Sequence, residues 1–217
     1  MSRELFLLSS EKIDQFFGFR INDIENALLF SAKQLRPQGN ISNFGEVLHQ
    51  GHQTWVGLDP QTLNTPYTEL VHLCDLLRPK SGEVFVDLGA GYGRLGLVLH
   101  FLYPEVKFQG HELVKERVNE GERVFKLLGC HNARLFSEDL IDPLFELTKA
   151  DYYFIYDFGK VEHIRIVMRK LEILADTHHF KVIARGTGSR SIIDHEHPWL
   201  SRINDVHHEK NFSIYSY

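Results

Sequence analysis

The chain has 217 residues, 43% of them hydrophobic, and its 24 basic against 29 acidic residues give a formal net charge of -5. This length suits one well-buried domain with an elaboration, and the negative charge removes the general basic field by which proteins grip nucleic-acid phosphates. The cysteines, Cys74 and Cys130, lie far apart without C-x-x-C spacing, which indicates neither a disulfide framework nor a thiolate zinc site.

The first apolar run, Leu5–Leu8, is too short for a signal-peptide core, and no run approaches the length of a membrane span. We therefore expect a cytoplasmic protein that does not enter a membrane. From Ile21 to Leu35 the apolar residues recur with helical spacing.

A break at Pro37–Asn40 is followed by a polar segment, up to about residue 60, that has no sustained period. Its aromatic residues, such as Phe44 and Trp55, either cover a pocket or pack on the core. We predict that residues 1–64 form a mainly helical extension or lid and that residues 65–217 form the main domain.

An amphipathic helix over Leu70–Leu77 leads into a short apolar run that ends in an acid, Asp87, and then in closely spaced glycines. Glycines let the backbone turn with positive φ and let a ligand approach without meeting a Cβ. The first N–H groups of the helix that follows remain free to donate. A strand, a tight loop and a helix start in this order predict a cofactor site.

Two cofactors fit this loop. The segment Gly91–Gly96 satisfies the G-x-G-x-x-G pattern of dinucleotide-binding proteins, which indicates NAD. The Asp87 carboxylate would repel a pyrophosphate but tolerates a ligand that carries a sulfonium and an ammonium. We therefore favour S-adenosylmethionine over NAD.

The stretch VDLGAGYG at 86–93 resembles motif I of the class I, seven-strand S-adenosylmethionine-dependent methyltransferases, written hydrophobic-(D/E)-hydrophobic-G-x-G-x-G. The resemblance implies that Asp87, Gly89, Gly91 and Gly93 contact S-adenosylmethionine. It also implies the fold of that family, an open sheet with helices on both faces.

Further acids follow the next two predicted strands. Glu112 ends the strand at 108–113, where the resemblance implies an acid that holds both ribose hydroxyls. An acid at this distance also serves dinucleotide-binding proteins, so Glu112 favours an adenosine-type ligand without choosing between them. The resemblance also implies that Asp139, after the strand at 133–136, accepts from the adenine amino group. As a residue type, Asp139 is equally a common turn former.

In the same family the element before motif I packs over the methionine end of the cofactor. By this resemblance Tyr67 and Thr68 line that end, with Tyr67 also beside the reacting methyl group. A similar loop containing Tyr and Thr is found in the seven-strand histone lysine methyltransferases. Alternatively, Thr65 or Thr68 caps the helix that follows.

The buried strand at 152–156 ends at Asp157. Class I enzymes place motif IV here, beside the methyl group and its acceptor, so the resemblance implies that Asp157 is a catalytic residue on the substrate side and contacts the cofactor. The alternative is a cap for the helix that follows. The segment Asp157–Gly159 is not the (D/N)-P-P-(Y/F) form of enzymes that methylate adenine amino groups or glutamine.

After the strand at 180–185, Gly186–Arg190 is predicted to be a flexible active-site loop. Ile203–His207 and Phe212–Tyr217 are predicted to form an antiparallel hairpin, which a Rossmann dehydrogenase lacks. We therefore predict a doubly wound α/β fold with a seven-strand sheet, mostly parallel with a C-terminal antiparallel hairpin, helices on both faces and an N-terminal, mainly helical extension.

Thirteen histidines include the cluster at 195–197, but none has a recognised metal-ligand spacing. We expect no metal site. If one histidine acts chemically, we expect His195 or His197, since that segment should lie near the carboxyl edge of the sheet.

These features predict an S-adenosylmethionine-dependent methyltransferase that methylates a protein side chain, lysine. Tyr67, Tyr156, Phe158 and Trp55 would form an aromatic slot that lowers the pKa of a lysine by desolvation. The alternatives are a small-molecule or RNA acceptor, a NAD-binding oxidoreductase, and a non-catalytic subunit that binds the cofactor.

Overall fold

The computed structural model describes residues 3–38, 41–52, 54–202 and 205–217. Their core is a seven-stranded sheet. Its strands are, in chain order, β1 (Val84–Leu88), β2 (Lys107–Glu112), β3 (Ala133–Ser137), β4 (Tyr152–Tyr156), β5 (Lys181–Arg185), β6 (His207–His208) and β7 (Phe212–Ser216).

The strands lie side by side in the order β3-β2-β1-β4-β5-β7-β6. Strands β1 to β5 are mutually parallel, and β7 pairs antiparallel with both β5 and β6. The predicted fold class, a mostly parallel seven-strand sheet with a C-terminal antiparallel pair, is confirmed.

The helices are α1 (Ser10–Phe17), α2 (Ile21–Leu35), α3 (Ile41–Leu48), α4 (Pro60–Leu63), α5 (Tyr67–Leu77), α6 (Arg94–Leu102), α7 (Lys115–Leu128), α8 (Val161–Ala175), α9 (Thr187–Glu196) and α10 (Pro198–Ser201), after a 3-10 helix at Arg3–Leu7. Across the described ranges, no helix combines the length and the apolar character that a bilayer crossing requires.

Two hydrophobic clusters cover the two faces of the sheet, because side chains of successive strand residues point to opposite sides. On one face, residues of α5, α6 and α7 pack on Phe85 and Phe108. On the other face, α8 and α9 pack on Val86 and Tyr153. Helices on both faces of a parallel sheet are the doubly wound arrangement.

The N-terminal helices share the first of these clusters. Phe6, Ile13 and Phe17 are fully or almost fully buried and belong to the same apolar cluster as Tyr67 and Leu70 of α5. The extension is therefore part of the core on this face, and the boundary at residue 64 stays a prediction.

Two short helices lie in the segment that showed no period in the sequence. One is α3, and the other is α4, where Asp59 accepts from the backbone N–H groups of Gln61 at 2.8 Å and Thr62 at 3.3 Å. An aspartate cap followed by a proline at the first helical position starts this helix. Helices of four to eight residues span only one or two turns, which is too short for a helical repeat of apolar residues to be recognised in the sequence.

Two C-terminal predictions need correction. The segment predicted as a flexible loop after β5 is instead the first turn of α9, which begins at Thr187. The predicted hairpin is present, but its first strand is only the pair His207–His208. Ile203, with which that strand was predicted to begin, lies outside the described residues.

Candidate functional site

A cavity opens at the carboxyl edge of the sheet, where β1, β2 and β4 end. Its volume, including the open mouth, is about 740 Å³. Open α/β sheets bind ligands at this edge, where the strand order reverses. Strand β1 lies between β2 and β4, so the cavity occupies that reversal point.

The glycine loop, residues 89–93, forms one wall of this cavity. Gly89 and Gly91 line it and have φ values of +97° and +55°. A Cβ on Gly89 would lie 2.5 Å from the Cβ of Phe158, and one on Gly91 would lie 3.0 Å from Asn64 Oδ1. Gly93 instead packs against α7, since a Cβ added there would lie 2.7 Å from the ring of Phe125.

The carboxylate of Glu112 is buried at the end of β2 and lines the cavity. One oxygen accepts from the backbone N–H of Gly91 at 3.0 Å, and the other accepts from that of Val114 at 2.9 Å. Each carboxylate oxygen has a second lone pair. Glu112 is therefore fixed in place and still able to accept from a ligand.

Asp139 lies in the loop after β3 and also lines the cavity. One of its oxygens accepts from the backbone N–H of Ile141 at 3.1 Å, and the other lies 3.3 Å from Nδ1 of His52. His52 belongs to the N-terminal extension, so this contact crosses the mouth of the cavity. His163 lies on the same rim, with its ring centroid 6.1 Å from that of His52.

Asp87 lines a second, smaller cavity of about 340 Å³ on the other side of the glycine loop. The two cavities share Leu63, Asn64, Gly89, Gly91 and Tyr156 as lining residues, so they are adjacent. Burial, and after it the charge of Glu112, raises the pKa of the Asp87 carboxyl to about 8. Whether Asp87 is charged at neutral pH therefore depends on whether a cation lies beside it. The repulsion of a pyrophosphate that we inferred from the sequence requires the ionised form of Asp87.

A segment of the N-terminal extension, residues 54–64, crosses the cavity and is hydrogen-bonded to the main domain. The indole N–H of Trp55 donates to the carbonyl oxygen of Asp157 at 2.7 Å, and the Tyr156 hydroxyl donates to that of Thr62 at 3.1 Å. Trp55, Tyr156 and Phe158 all line the cavity. Three of the four aromatic residues predicted for a slot therefore lie together.

The fourth aromatic residue, Tyr67, lies apart from the cavity. Its side chain is completely buried, and its hydroxyl donates to Asp14 at 3.0 Å. Burial, reinforced by the charge of Asp14, raises the pKa of Tyr67 well above its ordinary value. Thr68 is an exposed residue in the first turn of α5. Neither residue lines either cavity, because α5 turns this end towards the N-terminal helices.

Asp157 follows β4 as predicted, but its carboxylate is bound to the start of α9. Its oxygens accept from the backbone N–H groups of Gly188 at 3.2 Å and Ser189 at 2.7 Å, and from the Ser189 hydroxyl at 2.7 Å. The two backbone donors are among the free N–H groups at the N-terminus of α9. The carboxylate caps α9 and does not line either cavity, so its predicted catalytic role stays a prediction.

His195 and His197 are at the far end of α9 from its N-terminus. Because that N-terminus lies at the carboxyl edge of β5, both histidines are directed away from the cavity, contrary to the expectation from the sequence. His197 instead accepts from the indole N–H of Trp199 at 3.1 Å. No cluster of three or more potential metal ligands occurs within the described ranges.

Two buried ion pairs connect the extension to the cavity walls, and neither was predicted from the sequence. Asp14 of α1 pairs with Arg94, the first residue of α6 after the glycine loop. Glu25 of α2 pairs with Arg117 in the first turn of α7. These residues sit on helices that read as amphipathic, and each pair spans at least 80 positions of the chain.

No protein-family model matches the sequence, and no curated protein sequence matches it. Solved structures do match the fold. A SAM-dependent methyltransferase from Aquifex aeolicus is 15% identical, with a TM-score of 0.52, over 73% of this chain and 98% of that chain. The C-terminal domain of precorrin-6Y C5,15-methyltransferase from Rhodobacter capsulatus is 16% identical, with a TM-score of 0.53, over 73% and 91%.

An RNA methyltransferase from Salinibacter ruber, in complex with S-adenosyl-L-homocysteine, is 15% identical, with a TM-score of 0.52, over 70% of this chain and 91% of that chain. At these identities the likeness establishes the fold. The chain has the seven-strand, Rossmann-like fold of class I S-adenosylmethionine-dependent methyltransferases, as the resemblance at residues 86–93 implied.

Proposed function

We propose that this chain is an S-adenosylmethionine-dependent methyltransferase. The observation that carries the proposal is that one cavity collects the glycine loop, Glu112 and Asp139 from the ends of three adjacent strands. The three similar structures described above are methyltransferases by name, and this supports the same reaction here.

The residues present fit an adenosyl ligand with a charged amino-acid tail. Glu112 has free lone pairs for the ribose hydroxyls, and Asp139 has them for the adenine amino group. Asp87 and Asn64 line the second, smaller cavity. An ammonium group bound there would favour the ionised form of the Asp87 carboxyl. Gly89 and Gly91 keep the loop clear of side chains.

When bound, S-adenosylmethionine would supply a methyl group on a sulfonium, which an acceptor would attack at carbon in line while the C–S bond breaks and S-adenosylhomocysteine leaves. The positive charge on sulfur disappears in this reaction, so the protein mainly aligns the acceptor and excludes water. Trp55 and Phe158 supply apolar surface at the edge of the cavity, and the segment 54–64 covers it. A strong general base is not required for such a transfer.

As acceptor we propose a protein lysine. A lysine amine has a reference pKa of about 10.4 and must lose its proton before it attacks. An apolar, aromatic slot lowers that pKa because it removes water from the charged form. Trp55, Tyr156 and Phe158 line the same cavity, which supports such a slot, and the net charge of -5 favours a basic substrate.

Other methyl acceptors and other functions are the alternatives to this proposal. The similar structures include an RNA methyltransferase and a precorrin methyltransferase, so RNA and small molecules belong in the same acceptor screen. A non-catalytic subunit is supported by the bulky side chains of Trp55 and Phe158 close to Asp157. A NAD-dependent oxidoreductase is disfavoured because β7 pairs antiparallel with β5, whereas a Rossmann dehydrogenase lacks this hairpin.

The experiment is calorimetric titration with S-adenosylmethionine, S-adenosylhomocysteine and NAD, followed by radiolabelled methyl transfer to lysine-containing proteins, RNA and small molecules. Binding of the two adenosyl compounds alone, with label in protein lysine, is the expected result. Binding of NAD alone would overturn the methyltransferase proposal. Label in RNA or a small molecule would overturn only the lysine acceptor, and cofactor binding without any transfer would favour the non-catalytic subunit.

A further inference from the structure

Arg117 is a buried cation that borders the cavity with part of its guanidinium unused. Its side chain is 7% exposed. Nε and Nη2 donate to the two oxygens of Glu25, at 2.8 and 3.0 Å, and Nη2 also donates to the carbonyl oxygen of Trp55. Within the described part of the chain, Nη1 donates to no residue. Arg117 lines the cavity, and the two N–H donors of its Nη1 have no partner among the described residues.

This guanidinium is held rigidly and stays charged. Burial by itself would lower the pKa of Arg117, but the charge of Glu112 and the hydrogen bond and charge of Glu25 raise it above its ordinary value. Glu25 is itself buried and also accepts from the Tyr92 hydroxyl at 2.8 Å. Because Tyr92 belongs to the glycine loop, Glu25 fixes the loop and Arg117 relative to each other.

Arg117 and Glu112 line the same cavity, and the charge of Glu112 acts on the Arg117 guanidinium. Glu112 accepts from the N–H of Val114, whose own carbonyl accepts from the N–H of Arg117 at 3.0 Å in the first turn of α7. The lining of the cavity thus includes both an acceptor, Glu112, and a donor, Arg117. A hydroxyl group both donates and accepts, so a pair of neighbouring hydroxyls can bind to both at once.

We propose that Arg117 donates from Nη1 to a hydroxyl oxygen of the cofactor ribose, while Glu112 accepts from the same diol. Glu25 is then a positioning residue. Through Glu25, helix α2 of the N-terminal extension orients the guanidinium that binds the ribose. This inference rests on the proposed binding of an adenosyl cofactor. It assigns to Arg117 a selectivity for ligands that keep both ribose hydroxyls.

The test is calorimetric titration of the whole protein with S-adenosylhomocysteine and with its 2′,3′-dideoxyribose analogue. A charge-assisted hydrogen bond contributes enough that Arg117→Lys should weaken binding of S-adenosylhomocysteine about 10- to 100-fold. The same variant should change binding of the dideoxy analogue by less than about two-fold, because that ligand lacks the oxygen that Arg117 contacts. Arg123→Lys is the matched control, since Arg123 lies on the same helix but pairs with Glu120.

A second variant tests the inference independently if Arg117→Lys does not fold. Glu25→Gln keeps the Arg117 donors but removes the charge that positions them, so it should weaken binding of S-adenosylhomocysteine more than binding of the analogue. Equal weakening of both ligands in both variants would show a merely structural role and overturn this inference alone. If the unaltered protein does not bind S-adenosylhomocysteine, the proposed function fails and the inference fails with it.

Discussion

Glu112 accepts a hydrogen bond from the backbone N–H of Gly91 at 3.0 Å, which joins the end of β2 to the glycine loop after β1. The carboxylate therefore orders the loop in addition to facing the cavity. A residue that shapes the loop and offers its remaining lone pairs to a ligand has two separable effects when it is changed.

The variant Glu112→Gln should separate these effects. Glutamine keeps the shape and one acceptor oxygen but loses the charge, so we expect binding of S-adenosylhomocysteine to weaken about 10- to 100-fold. Calorimetric titration measures this change. The exposed Glu116 provides the control, as Glu116→Gln should bind normally. Unchanged affinity in Glu112→Gln would remove Glu112 from the site.

Gly89 requires both its positive φ and its lack of a side chain. In Gly89→Ala the new Cβ would lie 2.5 Å from the Cβ of Phe158, and the φ of +97° is unfavourable for alanine. Gly82 has a similar φ of +83° with no atom within 4 Å, so Gly82→Ala carries the backbone strain alone. We expect both variants to lose about 1–2 kcal/mol from strain and Gly89→Ala to lose about 1–3 kcal/mol more from the clash.

Urea denaturation measures the free energy of unfolding of both glycine variants, and titration with S-adenosylhomocysteine measures binding. Gly89→Ala alone should lose cofactor binding. If the two variants are equally stable and bind equally well, the contact between the loop and Phe158 does not constrain residue 89.

Asp87 should make the ligand-free protein less stable as the pH rises. Burial raises the pKa of its carboxyl to about 8 in the folded protein, whereas an unfolded Asp titrates near about 3.9. The stability that this group contributes is thus fully present below about pH 4 and is lost as the pH rises through about 8. Asp87→Asn cannot ionise, so at pH 8 we expect it to be more stable than the original protein by about 1–3 kcal/mol.

Urea denaturation at pH 5 and pH 8 checks this difference, with the exposed Asp142→Asn as control. The ionised carboxylate is the form that suits an ammonium, so binding of S-adenosylhomocysteine by the original protein should tighten between pH 6 and pH 8. In Asp87→Asn it should be weaker and independent of this titration. A variant that shows the same pH profile as the original protein would contradict the assignment.

Asp157→Asn distinguishes a capping role from a catalytic one. Loss of the charge and of one acceptor at the N-terminus of α9 should lower the free energy of unfolding by about 1–2 kcal/mol. If the cap is its main role, kcat for methyl transfer measured well below the melting temperature should change by less than about ten-fold. A loss of kcat of three orders of magnitude with normal stability would instead support the catalytic role predicted from the sequence. Asp142→Asn again serves as control, because Asp142 accepts from Leu144 in an exposed turn.

The fold and the positions of three candidate site residues could be predicted from the order of elements along the chain. The motif at 86–93 and the alternation of strands and helices place Gly89, Glu112 and Asp139 at the ends of neighbouring strands. The carboxyl ends of parallel strands meet at one edge of the sheet, so the order of elements along the chain was enough to bring these residues to one cavity.

The directions of the other candidate side chains could not be predicted in this way, because they depend on how distant helices pack. Asp157 turns to α9 because the free N–H groups of that helix, some 31 to 32 positions later, lie beside it. Tyr67 turns to Asp14, and Arg117 is fixed by Glu25 across 92 positions. Buried polar groups must find partners wherever the packing of separate helices supplies them, and residue periodicity along the chain does not record which helices pack together.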